Sequence, residues 1–389
     1  MSDELSAAEL VALVRRAFLP SERDRSLAFL VDVPASAEAD NPAWRQRRQL
    51  AADWAGKLAG AGDELGLGVR LVFYEAVGAN NADLPGQACY HPGGRLPTSA
   101  AELAGLPQVA LEQVLADNDI LIAPTEYSAT APLKLAAPRL GFRAATMPGF
   151  SPSMVAALRI DYGEVNRRVE LLSGLLTRAQ AAEIEFSVTG GQFCRLFLDL
   201  RRRRAHSSGG FFPRPGNAGN LPSGESYIVP YEGEEDPSRS SGLLPVQFGD
   251  EVVYYRIENN RAREVEGDGP AATREAEHLR REPAYGNLAE LGLGVLGDFG
   301  LEPSGEILLD EKLGLHIAFG RSDHFGGQVG AKDFSSPREV VHIDRVYVPQ
   351  LQPDVEVSSA RLVIPGEEAI QLIRDGRYVV DFSSAEPVS

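Results

Sequence analysis

The chain has 389 residues, 43% hydrophobic and 24% charged, with a formal net charge of −17. This length and apolar content suit two globular domains and exclude disorder of the whole chain. The acidity disfavours nucleic acid and anionic lipid as partners, and no run of about 18 apolar residues offers a membrane span.

Residues 27–33 form a compact apolar run of strand length. Asn41-Pro42 opens a helix reaching to about residue 62, with the proline suited to a first turn. A second strand is predicted over 69–77, a helix over 100–116 and a third strand over 120–124. A short helix over 131–140 and a strand over 142–147 follow. This rhythm predicts an α/β domain with a mostly parallel sheet, covered by helices on both faces. A helix over 151–178 leads to a domain boundary near residue 180, giving domains 1–180 and 181–389. The second domain reads as α+β and strand-rich. Residues 182–188, 192–200, 251–257, 340–348 and 355–364 are predicted strands. Glu258-Asn259-Asn260-Arg261 is a hairpin turn leading into a strand over 262–265. Helices are expected over 271–281 and 367–375.

Cys89 and Cys194 make neither a disulfide framework nor zinc-finger spacing, and read as small apolar residues of a reducing compartment. The acidic N-terminus has no apolar signal region, so a cytoplasmic protein is expected.

The chemistry concentrates in the C-terminal half. His342-Ile343-Asp344 lies among β-branched residues, and on a strand its imidazole and carboxylate share one face. His316 sits between apolar neighbours, where a neutral imidazole is a good ligand for zinc, cobalt, manganese or iron. Glu225 follows the turn Gly219-Asn220-Leu221-Pro222-Ser223-Gly224 at the entry to a strand. Glu290 precedes Leu291-Gly292-Leu293-Gly294. The Gly-x-Gly-x-x-Gly string at Gly292, Gly294 and Gly297 lacks the strand–helix context of a dinucleotide site. The basic run Arg201–Arg204 reads as a solvated strand end. His91 and Glu126-Tyr127 are candidate contacts from the first domain. No serine nucleophile elbow or Walker motif is present.

Together these segments resemble the M29 metallo-aminopeptidases, the aminopeptidase T group. The resemblance is carried by residues 210–233 around Glu225, 287–294 around Glu290, 306–320 around His316, and His342-Ile343-Asp344. It implies a two-metal hydrolase with Glu225, Glu290, His316, His342 and Asp344 as ligands to zinc, cobalt or manganese. A peptide or small amide substrate, a homodimer, and Glu290 or Glu225 as proton shuttle are implied with it. Family members carry a tyrosine seven residues after the ligand histidine, thought to steady the tetrahedral intermediate. Here that position is Asp323, followed by His324. An ionised aspartate donates no hydrogen bond, so His324 or Arg321 is the expected substitute, and His324 is also a candidate sixth ligand.

Two other functions compete. A mononuclear Fe(II) ring-cleaving dioxygenase of the dihydroxypyridine dioxygenase type would use His316 or His324 with His342 and Asp344. Such an enzyme resembles this chain except that a histidine stands about where Glu290 lies, 52 residues before His342. A non-catalytic peptide-binding protein on the same scaffold is the third reading, motivated by the missing tyrosine.

Overall fold

The structure is a computed structural model and describes residues 3–384. It divides into two compact units, 1–166 with 210–223, and 167–209 with 224–389. The sequence reading placed a boundary near residue 180. The division instead falls after Asn166, within the helix Tyr162–Arg178, and residues 210–223 return to the first unit.

The first unit is built on a seven-stranded sheet. Ser26–Val33 pairs in parallel with Gly68–Glu75 on one side and Ile120–Ala123 on the other. Arg143–Thr146 and then Ala218–Asn220 extend the parallel set, while Gln87–Tyr90 and Val109–Ala110 add antiparallel pairs at the other edge. Every residue of Ser26–Val33 is buried, as expected for a parallel strand covered on both faces. One face packs Ala28, Leu30, Val72 and Leu121 against Val114, Leu115 and Leu133. The helix Pro42–Gly60 begins where expected, with the Asn41 side chain accepting from the Trp44 N–H at 2.8 Å.

The second unit contains an eight-stranded and a five-stranded sheet, each antiparallel throughout. The Glu251–Glu258 and Arg261–Glu266 hairpin turns through Asn259 and Asn260, both in the left-handed region that asparagine tolerates. Three expectations are corrected. The helix predicted over 367–375 is the strand Ile370–Arg374, paired with Val355–Val363. Its apolar residues meet a sheet edge, and the turn at Asp375-Gly376 returns the chain as a hairpin. The helix predicted over 100–116 is two short helices, Ala100–Leu103 and Leu111–Ala116, separated by the strand Val109–Ala110. The helix predicted over 151–178 begins as the 3-10 segment Pro152–Arg159 before Tyr162–Arg178.

The strand Ser241–Phe248 joins its neighbour Gln192–Asp199 only through Ser241 and Gly242. Gly242 has φ +135°, and a Cβ there would strike the Arg195 carbonyl. Gly242→Ala is therefore expected to cost about 1–3 kcal/mol, read as a lower urea midpoint with little change in slope.

Candidate metal centre

The site is one face of the five-stranded sheet. Its strands run in the order His342–Val346, Leu315–Gly320, Leu288–Gly294, Glu225–Ile228 and His206–Ser208. The register pairs Asp344 with Ala318, Ala318 with Glu290, His316 with Gly292, and Gly294 with Glu225. Side chains alternate along a strand, so these residues and His342 share a face. A bulge between Leu288 and Glu290 turns Leu288 to the opposite, apolar face beside Phe319.

Glycine makes room for the imidazoles. A Cβ on Gly292 would collide with the His316 ring, and one on Gly294 with the Lys312 carbonyl. Two of the glycines of the Gly-x-Gly-x-x-Gly string thus serve close packing beneath the site. Gly297, the third, lies against the Leu313 carbonyl.

The five expected ligand side chains converge. His316 Nε2 lies 3.2 Å from Glu290 Oε1, 3.6 Å from Glu225 Oε2 and 4.0 Å from Asp344 Oδ1. His342 Nε2 lies 3.4 Å from Glu290 Oε2 and 3.5 Å from Asp344 Oδ1. The donors form two groups, Glu225–Glu290–His316 and Glu290–His342–Asp344, that share Glu290. Each imidazole is held from behind through Nδ1, by the Gly314 carbonyl at 3.2 Å for His316 and the Arg321 carbonyl at 2.8 Å for His342. A neutral ring donating there turns the Nε2 lone pair to the centre, the tautomer that binds metals.

The electrostatics also fit a cation. Burial disfavours protonated His316, but Glu290, Asp344 and Glu225 outweigh it and push the imidazole up to about 9. His342 is raised well above its ordinary value against the same burial penalty, by Asp344 and Glu290. The two histidines in turn hold Glu290 and Asp344 low, overcoming the desolvation of each carboxyl. Glu225 Oε2 is buried without a hydrogen-bond partner. An orphaned carboxylate oxygen among imidazole nitrogens is what a metal ligand leaves when its cation is set aside.

Two charged neighbours escaped the sequence reading. Lys312 is 1% exposed at its side chain, and its ammonium donates to Glu225 Oε1 at 2.7 Å and to Glu311. Burial, with Glu225 and Asp344, pushes the Glu311 carboxyl up to about 8, against the pull of Lys312. The string Asp310-Glu311-Lys312 resembles a surface charge run, and no periodicity in it signals burial.

Asp323 and His324 lie on a loop beside the centre. Asp323 pairs with Arg321 at 2.6 Å, which holds its carboxyl low despite partial burial, so it is ionised and donates nothing. The His324 ring stands edge-on to His342, with centroids 5.5 Å apart. Burial, His342 and Arg321 push it down to about 4. His324 is not in either donor group. The loop is pinned by Glu232, which accepts from Ser322 Oγ at 2.6 Å and from the Gln328 N–H. The Arg203 guanidinium donates to the Gly326 carbonyl at 2.9 Å, and His206 Nε2 lies 3.1 Å from the Phe325 carbonyl.

The remaining candidates have partners of their own. Arg201, Arg202 and Arg203 are ion-paired to Asp199, Asp236, Glu235 and Glu234 and stack over Tyr231, so three of the four arginines of the run are neutralised, and Arg204 is exposed. In the first unit, Glu126 pairs with Arg47 at 2.5 Å, and His91 packs edge-on against Phe73. No helix is long and apolar enough to cross a membrane among the described residues.

The chain matches no protein-family model and no curated protein. Its fold is similar to that of 2,5-dihydroxypyridine dioxygenase from Pseudomonas putida KT2440, with a TM-score of 0.60 and 15% sequence identity over 97% of this chain and 99% of that one. At that identity the likeness speaks for fold alone. It supports a mixed α/β architecture. The WlbA dehydrogenase from Chromobacterium violaceum aligns with a TM-score of only 0.14, which carries no argument.

Two substitutions test this geometry. Gly292→Ala is expected to abolish stoichiometric metal binding, read by elemental analysis, because the added methyl displaces the His316 ring. Lys312→Met is expected to destabilise the metal-free protein by about 3–5 kcal/mol, because it strips the counter-charge from buried carboxylates. Part of that loss should return when zinc or manganese is added during denaturant titration.

Proposed function

We propose that the chain is a metal-dependent hydrolase of aminopeptidase-like chemistry, acting on a peptide or small amide. The observation that carries this reading is Glu290, which is common to both three-donor groups and turns Oε1 to His316 and Oε2 to His342. Zinc, cobalt and manganese all suit a set of two imidazoles and three carboxylates. Two such ions, when bound, polarise a carbonyl and acidify a water.

The chain's own residues divide the remaining tasks. Glu225 and His316 hold one side of the centre, and His342 with Asp344 holds the other. Glu290 stands between them and is shared by both donor groups. Lys312 orients Glu225 by occupying Oε1, which leaves Oε2 for the centre. The loop bearing Asp323 and His324 forms a wall held by Glu232, Arg203 and His206. A homodimer remains the expected assembly.

A second reading is favoured by the fold likeness: a mononuclear Fe(II) dioxygenase using His316, His342 and Asp344, or His324 in place of His316. Glu290 stands where that chemistry would want a neutral imidazole.

Metal analysis of the purified chain with two assays separates the readings. Two zinc, cobalt or manganese ions per chain with cleavage of aminoacyl p-nitroanilides is the expected result. One iron per chain with dioxygen uptake on a dihydroxylated aromatic ring would replace the hydrolase with the oxygenase. A metal-free, inert chain would leave only a binding role. His342→Ala should lower metal content and turnover together; full turnover with metal retained would remove His342 from the ligand set.

A further inference from the structure

We propose that the free edge of the strand His342–Val346 is the docking site for an extended peptide, which pairs with it by main-chain hydrogen bonds and brings its amino end to the metal centre. The inference rests on the hydrolase reading and deepens it, making the substrate a peptide of several residues rather than a small amide.

His342–Val346 is the outermost strand of its sheet, and among the described residues only Leu315–Gly320 pairs with it. In an antiparallel pair, alternate residues turn both N–H and C=O toward the partner strand, and those between turn them away. The bonds just outside the strand settle which residues do which. The Tyr347 N–H donates to the Leu315 carbonyl, and the Arg321 N–H to the Val341 carbonyl. With an unbroken register, Ile343 and Arg345 therefore face inward, opposite Phe319 and Ile317. His342, Asp344 and Val346 face outward. Gln352 Nε2 donates to the Val346 carbonyl at 2.8 Å, which closes that end of the edge. The open main-chain groups thus belong to His342 and Asp344, whose side chains reach the centre. The surface of Asp344 agrees. Its side chain is 5% exposed, yet the residue as a whole is only half-buried, so much of its open area is main chain.

A row of outward N–H and C=O groups is a template for another strand. Continuity with the centre and charge select a peptide as the occupant. A chain paired here runs about 4.8 Å from the main chain of His342 and Asp344, beside the side chains that gather the metal. The open stretch offers a donor and an acceptor at each of two residues, which holds a segment of about three peptide residues. A second copy of this chain is opposed by charge. The chain carries −17, and Glu290 and Asp344 lie beside this edge. Two copies brought edge to edge repel each other, whereas the protonated amine that begins a peptide is attracted. Main-chain pairing sets the direction and depth of the peptide without reading its side chains, so a broad tolerance of sequence is expected.

The test uses the full chain loaded with cobalt and a hexa-alanine peptide whose first amide is reduced to a methyleneamine, so that it binds without being cleaved. N-methyl groups are placed one at a time on its third to sixth residues. Calorimetry is expected to find two positions, two residues apart, where methylation weakens binding about tenfold or more, with the others within twofold. Amide exchange at His342 and Asp344 is expected to slow when the peptide is added, while Ile343 and Arg345, already paired, change little. Absence of binding, equal losses at every position, or unchanged exchange at His342 and Asp344 would each overturn the proposal. So would protection of these two amides that grows with protein concentration in the absence of peptide, because the edge would then belong to a second copy. Cleavage of aminoacyl p-nitroanilides without the alternation would keep the hydrolase and remove the docking edge. The alternation in a chain that cleaves nothing would keep the edge and refute the hydrolase.

Discussion

Three buried carboxylates gathered at the edges of two imidazoles are the constraint on which the rest of the second unit depends. Glu225, Glu290 and Asp344 would repel one another in a medium that screens poorly, and burial alone would drive protons onto them. The sheet nevertheless brings them together, because pairing fixes five strands in register and glycine leaves space where side chains would block the approach. The protein supplies one permanent counter-charge, Lys312, and spends it on Glu225 and Glu311. What remains is balanced by a proton on each histidine or by a metal cation. Either choice couples the charge state of the centre to the stability of the sheet.

The surroundings hold that arrangement in place. Backbone carbonyls behind His316 and His342 fix both rings. Glu232 accepts from Asn287, Ser322 and the Gln328 N–H, so one buried carboxylate ties the end of the Glu290 strand to the loop bearing Asp323 and His324. A loop pinned at several points forms a wall of defined shape, and binding to such a wall loses little entropy in ordering it.

The readability of the sequence followed the range of the interactions. His342 and Asp344 were legible as a pair because a strand's period of two puts them together without tertiary information. The turn before Glu225 made its place at the start of a strand legible, though not its part in the centre. The convergence of these residues with Glu290 and His316 rested on resemblance, since no local pattern encodes contacts across more than a hundred positions. Lys312 and Glu232 were missed for the same reason: each looks like an ordinary strand or loop residue until its neighbours are known. The glycines at 292 and 294 carried a visible signal, and the string was set aside as a dinucleotide site, but nothing in it announced room for the His316 ring and the Lys312 backbone. In the fold, the parallel rhythm of the first unit was readable, whereas the return of residues 210–223 to that unit was not. The helix Ala7–Phe18 went unread although its capping box, Ser6 with Glu9, is written in the sequence. The strand Ile370–Arg374 was taken for a helix because its apolar residues fit either period over so short a run.

Charge does not choose between one ion and two. Glu225, Glu290 and Asp344 against Lys312 leave an excess that one divalent ion matches, and ionisation of Glu311, whose carboxyl is pushed up to about 8, would place the excess midway between one ion and two. The number of donors is more discriminating. A facial triad works because three protein ligands leave the other positions of its ion open for dioxygen and substrate. Here five side chains converge, and a single ion taking all of them would have little room left for either. Glu290, common to both three-donor groups, would let two ions divide the same five side chains between them. A shared fold with a dioxygenase does not weigh against this, because the scaffold determines where the strands lie and the side chains on one face determine what they bind.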